Sequence, residues 1–134
     1  MSLDSALTKA QGVVPECVAV GFVDMTTGML LGVKTVDSHP QEVLDLVAAA
    51  TAELFQGTSV SAIEKLFRRS RGHAEDGVHY FHEIIVFSEN LLHVFVRSKA
   101  YPNMAACFVT RGSANIGMVL AKSRTSVTDL EKLF

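Results

Sequence analysis

The chain has no tryptophan, only two cysteines and only three prolines among 134 residues. The cysteines, Cys17 and Cys107, sit inside apolar runs, Cys17-Val18-Ala19-Val20 and Ala105-Ala106-Cys107-Phe108, and no Cys-x-x-Cys spacing exists. They read as reduced, buried, small hydrophobes rather than as a disulfide or metal pair. Charge of one sign is also lacking: the formal net charge is −2 and the pI about 6.2. No strong field for phosphate backbones exists, which disfavours general nucleic-acid binding. No stretch reaches the roughly 18 uninterrupted apolar residues of a membrane span. The start, Met1-Ser2-Leu3-Asp4, has no basic region followed by an apolar one, so no secretory signal is expected. A cytoplasmic, reducing compartment is the expectation.

The motifs of common chemistries are missing too. There is no Gly-x-x-x-x-Gly-Lys loop and no Gly-x-Gly-x-x-Gly, so neither nucleotide hydrolysis of that class nor dinucleotide binding has support. No Gly-x-Ser-x-Gly elbow marks a nucleophile. Glu75-Asp76 is a solvated loop pair rather than a catalytic one. No enzyme activity, cofactor or metal is expected. His79 and His82, three apart on a strand, point to opposite faces and do not chelate one ion. A site of His82 across from His93, with Cys107 on the next strand, is a weaker reading than satisfied or surface histidines. If His79 or His82 met its copy across a dimer seam, pairing would respond to pH near about 6–7.

What is present is apolar surface: 49% of residues are hydrophobic and 19% charged, too apolar for disorder. One domain over residues 1–134 is expected, since a chain this long buries roughly two thirds of its unfolded surface. Leu3, Ala6, Leu7 and Ala10 recur at helical spacing over Ser2–Gln11, with Gly12 as the stop. Cys17–Val23 is apolar without alternation, a strand buried on both faces. Asp24–Gly28 supplies a turn and Met29–Val33 the return strand. Ser38 and Gln41 fit a capping box for a helix running to about Gln56, with Gly57 closing it.

On that helix Val43, Leu44, Leu46, Val47, Ala48, Ala50, Thr51, Leu54 and Phe55 sweep a weakly polar arc of about 200°, about twice what one sheet needs. Ala48, Ala49, Ala50 and Ala52 are small enough for a second helix to come close. Val60, Ile63, Leu66 and Phe67 predict a short amphipathic helix over 58–72, with Lys65, Arg68, Arg69 and Arg71 outside and a strand over part of it as the alternative; 73–77 reads as a loop. Strands follow at 79–88, 91–97 and 104–110, joined by links short enough to make neighbours antiparallel. Ser113 caps a last helix. The expected fold is α/β (α+β): a five-stranded antiparallel sheet with helices on both faces.

The run Val14-Pro15-Glu16-Cys17-Val18-Ala19-Val20-Gly21-Phe22-Val23-Asp24, then Thr27-Gly28-Met29-Leu30-Leu31-Gly32, and finally Ser113-Ala114-Asn115-Ile116-Gly117-Met118-Val119-Leu120 resemble the Roadblock/dynein light chain domain family. The resemblance spans most of residues 3–125 and rests on order and spacing. Residues 58–77 depart from it, being longer and more basic. It implies a Roadblock/profilin-like sheet with the strand after the long helix at an edge. In such proteins two copies join edge to edge with their long helices side by side. Their dimers dock small Ras-like GTPases or subunits of transport and signalling complexes, and bacterial members partner GTPases of polarity and gliding.

The residues support the pairing step by themselves. Strand 79–87 carries no Lys and no Pro, only His79, His82 and Glu83, so as an edge it is poorly defended. The expected function is therefore a non-enzymatic homodimeric scaffold or regulator that binds a small Ras-like GTPase or related signalling complex. Expected self-pairing residues are Ala48, Ala52, Phe55, Tyr80, His82 and Ile84. Lys65, Arg68 and Arg69 are expected to meet an acidic partner surface. The alternative is a small-molecule sensor module of PAS or GAF type. A bound ligand or an apolar cavity of roughly 300 Å³ or more would favour it.

Overall fold

The unbroken apolar run after Glu16 becomes β1 (Cys17–Asp24), next to one edge of the sheet and covered on both faces. The computed structural model describes residues 2–72 and 79–134. The expected loop at 73–77 therefore lies outside the described residues. β1 turns through Asp24-Met25-Thr26-Thr27-Gly28 into β2 (Met29–Thr35). The Asp24 carboxylate accepts the Thr26 N–H at 2.9 Å, and Gly28 takes φ +73°, a conformation that favours glycine. β3 (Glu83–Phe87), β4 (Leu91–Arg97) and β5 (Met104–Arg111) complete an antiparallel sheet of order β2-β1-β5-β4-β3. β3 is thus an edge, as the resemblance implied. It is shorter than expected: residues 79–82 precede the strand, although the Arg97 N–H still donates to the His82 carbonyl at 2.7 Å.

Helices cover both faces. On one, α1 (Leu3–Val13) and α4 (Ile116–Glu131) bury Leu7, Val119, Val127 and Leu130 against Val20, Phe22, Val94 and Phe108. Ser2 and Ser5 form a reciprocal capping box for α1, which runs past Gly12 to Val13. At the last turn a glycine is tolerated, and Gly12 has no neighbour to crowd it. The cap of α4 is Asn115, not Ser113: its Oδ1 accepts the Met118 N–H at 3.0 Å.

On the other face lies α2 (Gln41–Gln56), which buries Ala48, Thr51 and Phe55 over Val23, Phe95, Ala105 and Cys107. The capping box expected of Ser38 and Gln41 does not form. Pro40 is the N-cap and makes no side-chain cap bond, which leaves Ser38 two residues too early. Gly57 closes α2, and α3 (Thr58–Ser70) starts at the very next residue. A Cβ on Gly57 would lie 2.6 Å from the Glu53 carbonyl oxygen, so the joint requires glycine by close approach rather than by positive φ. Taken as one run, Gln41–Ser70 is long and apolar enough by length and composition to cross a membrane, but it is two helices broken at Gly57.

The burial pattern of α2 predicts unequal substitution costs along one helix. Phe55→Ala, with no exposed surface to relax into, should cost about 3–5 kcal/mol. Glu53→Ala, at an exposed position outside the apolar arc, should cost within about 0.5 kcal/mol. Urea unfolding monitored by circular dichroism measures both; equal costs would contradict this placement of α2.

Candidate functional site

The apolar arc of α2 divides into two stripes. Ala48, Thr51 and Phe55 face the sheet, and Ala52 is half-buried beside them. Val43, Leu46, Val47 and Leu54 form the second stripe and are exposed. The expectation that Ala48 and Phe55 serve self-pairing is therefore corrected, because both are buried inside the protomer's own core. The width of the arc was read from the sequence, but which part the sheet would occupy was not. A 100° periodicity gives relative angles around a helix, not the direction of the sheet.

The open stripe of α2 borders a trough of about 980 Å³ on this face. Its floor includes Ala19, Gly21, His93, Cys107 and Val109, and Val43 and Val47 wall one side. Small residues on β1 make the room. Phe87 at the end of β3 and the following turn form the far rim. Burial holds the His93 imidazole below its ordinary pKa, and its Nε2 lies 3.0 Å from Ser88 Oγ. The β3 residue paired with His93 is Val86, not His82. The thiols at this end are inert by environment: burial pushes Cys107 up to about 12 and Cys17 up to about 11.

The edge strand itself is apolar on both sides. Ile84 and Val86, opposite Phe95 and His93, share the face of the sheet that carries α2, while Ile85 and Phe87 alternate with them, Phe87 reaching the trough rim at the strand's end; Phe87 is 68% exposed. Ile84 is half-buried against the core under α2. Glu83, at the start of the strand, is clasped by Arg124 of α4 through two bonds of 2.7 Å. That hydrogen-bonded pair holds the Glu83 carboxyl below its usual range.

Tyr80 and His82 are not strand residues. His82 is exposed. Tyr80 is half-buried against α3: its N–H donates to Glu64 Oε2 at 2.6 Å, and Arg68 lies over its ring at 5.6 Å. His79 Nδ1 is 3.1 Å from Glu64 Oε1. His79 therefore faces its own α3, which removes it from a seam between copies. Arg68 is buried, in contrast to the expectation that it lies outside with Lys65 and Arg69, which are exposed.

Sequence reasoning missed Arg97. Its guanidinium is buried and donates Nε to the Phe81 carbonyl at 2.9 Å, Nη1 to the Pro102 carbonyl at 2.8 Å and Nη2 to the Phe55 carbonyl at 3.0 Å. A further bond of 3.2 Å joins Nη1 to Gln56 Oε1. The available signal was an arginine closing an apolar strand, which the alternation alone does not distinguish from a solvated strand end.

No family model matches the chain and no curated protein matches it. Solved structures do. An MglB with tetrameric arrangement is 17% identical with a TM-score of 0.74, covering 98% of this chain and 86% of its own. MglB of Myxococcus xanthus is 14% identical with a TM-score of 0.71, covering 98% and 94%. A Roadblock/LC7 domain from Streptomyces avermitilis is 15% identical with a TM-score of 0.68, covering 98% and 97%. The fold is that of the Roadblock/LC7 domains over nearly the whole chain, as the sequence resemblance implied.

Two outcomes follow from the buried groups. Arg97→Met leaves several carbonyls without a donor and should cost about 2–4 kcal/mol in denaturant unfolding, more than most surface changes. At pH 8 the folded thiols should react with Ellman's reagent at least about 100-fold more slowly than in unfolded chain, because the thiolate is scarce. Prompt reaction of both thiols in the folded protein would contradict their placement.

Proposed function

We propose that this chain is a non-catalytic Roadblock-type regulator that pairs with itself and docks a small Ras-like GTPase or a related signalling component in the cytoplasm. One observation carries the reading: the sheet ends in an undefended edge strand, whose last residue Phe87 borders the same trough as Val43 and Val47 of the open α2 stripe. An edge with free N–H and C=O groups and no lysine or proline either aggregates or pairs by design. Joining two β3 edges would continue the sheet and bring the Val43, Leu46, Val47 and Leu54 stripes of two copies over the two troughs. Such an interface would bury on the order of 1,200–2,000 Å². In it Ile84 and Val86 serve at the seam, and Ala52 flanks the helix contact. Tyr80 and His82 lie just outside the strand and contribute at its border at most.

The partner reading rests on the Roadblock fold. A GTPase bound to such a dimer would be regulated by fixing its own switch segments rather than by a supplied active site. Lys65 and Arg69, exposed on α3, are placed to speed association with an acidic surface.

The trough favours a second reading, a small-molecule sensor, because its volume exceeds the roughly 300 Å³ such a ligand needs. Against it stands the trough's open side, whereas ligand sites enclose most of their ligand.

Size-exclusion with light scattering tests the pairing. The expected mass is twice the 14.5 kDa of the protomer, and Leu46→Lys with Val86→Lys should reduce it to one. The double variant should also lose capture of a Ras-like GTPase from the native host. A single-chain mass at high concentration, with a small molecule retained in native mass spectrometry, would replace this reading by the sensor.

A further inference from the structure

Helix α3 is amphipathic with its faces reversed. The residues it buries are Glu64 and Arg68. The residues it exposes include Ile63, Leu66 and Phe67, with Leu66 60% exposed. At 100° per residue these three span about 100° of the outward side. The polar face is held inward by specific contacts: Glu64 takes the Tyr80 N–H and sits beside His79, and Arg68 lies over the Tyr80 ring. The orientation is therefore fixed by the protomer, and the apolar stripe is left for something outside it.

The charge next to that stripe selects the occupant. Glu64 is the only acidic residue of the helix and it is buried. The outward side carries Lys65 and Arg69, with Arg71 just past the C-terminal end, and Arg69 lies about 60° around the helix from Leu66. A second copy meeting this face symmetrically would bring like charges together. The stripe is a ridge rather than a groove, which a deformable anionic surface accommodates without shape matching.

We propose that α3 is an interfacial docking helix for anionic membranes, with Ile63, Leu66 and Phe67 entering the headgroup boundary and Lys65, Arg69 and Arg71 meeting lipid phosphates. Apolar insertion and charge act together in such helices. One helix of 13 residues binds weakly, so the attachment is reversible and sensitive to salt.

Co-sedimentation of the full chain with extruded vesicles tests this. Vesicles of phosphatidylcholine with about 30% phosphatidylglycerol should retain about tenfold more protein than phosphatidylcholine alone, and about 0.5 M salt should remove most of the difference. Leu66→Ser with Phe67→Ser, and separately Lys65→Glu with Arg69→Glu, should each lower retention at least about fivefold. Lys65, Leu66 and Arg69 are exposed, whereas the Phe67 ring packs 6.2 Å from that of Tyr80, so Leu66→Ser alone is included and should bind less while melting as the parent does. Equal retention on neutral and anionic vesicles, or retention unchanged in either variant, overturns the proposal. So does a change of solution mass in the serine variant without a change in vesicle binding, which would assign the ridge to a second copy.

Discussion

The position of α2 depends on one buried cation. A guanidinium removed from water is costly unless its donors are met, and Arg97 meets them with carbonyls from three separate segments. One belongs to the last turn of α2, where a positive charge is also favoured by the unsatisfied carbonyls of the helix end. The others precede β3 and link β4 to β5. The ring of Phe55 lies under the same guanidinium at 5.0 Å. Burial pulls the Arg97 pKa down, and the charge of Glu64 opposes that pull. With its C-terminal end tied to Arg97, α2 lies over Val23, Phe95, Ala105 and Cys107, and the trough lies beside its N-terminal half.

Arg97 and Glu64 together explain why the region after α2 is organised around polar groups. Elsewhere the molecule follows the usual rule of apolar faces turned inward. Here Glu64 is turned inward onto the Tyr80 N–H and beside His79, and Ile63, Leu66 and Phe67 of the same helix are left exposed.

The parts legible in the sequence were those set by local pattern. An unbroken apolar run marked β1 as buried on both sides, short links made the strands antiparallel, and Gly57 marked the end of α2. The site was legible only in kind. The excess apolar width of α2 was visible, but Ala48 and Phe55 were placed on the wrong side of it, since the sheet's direction comes from long-range contacts. Arg68 was assigned to solvent because charge normally points outward. It lies over the ring of Tyr80, twelve residues later in the chain and brought near by the fold. The extent of β3 was overestimated because His79-Tyr80-Phe81-His82 has strand propensity, while the Glu64 carboxylate takes the Tyr80 N–H for itself.

The single-residue joint at Gly57 has a consequence for how this chain can vary. A loop tolerates an added or deleted residue by changing its path, but α3 begins where α2 ends and has no slack to absorb one. Each residue gained or lost would rotate everything downstream by about 100°. One such step would swing Leu66 toward the protein and pull Glu64 away from Tyr80. The length of this connection is thus as strictly specified as any side chain in the core, and descendants of this sequence should diverge here by substitution rather than by insertion.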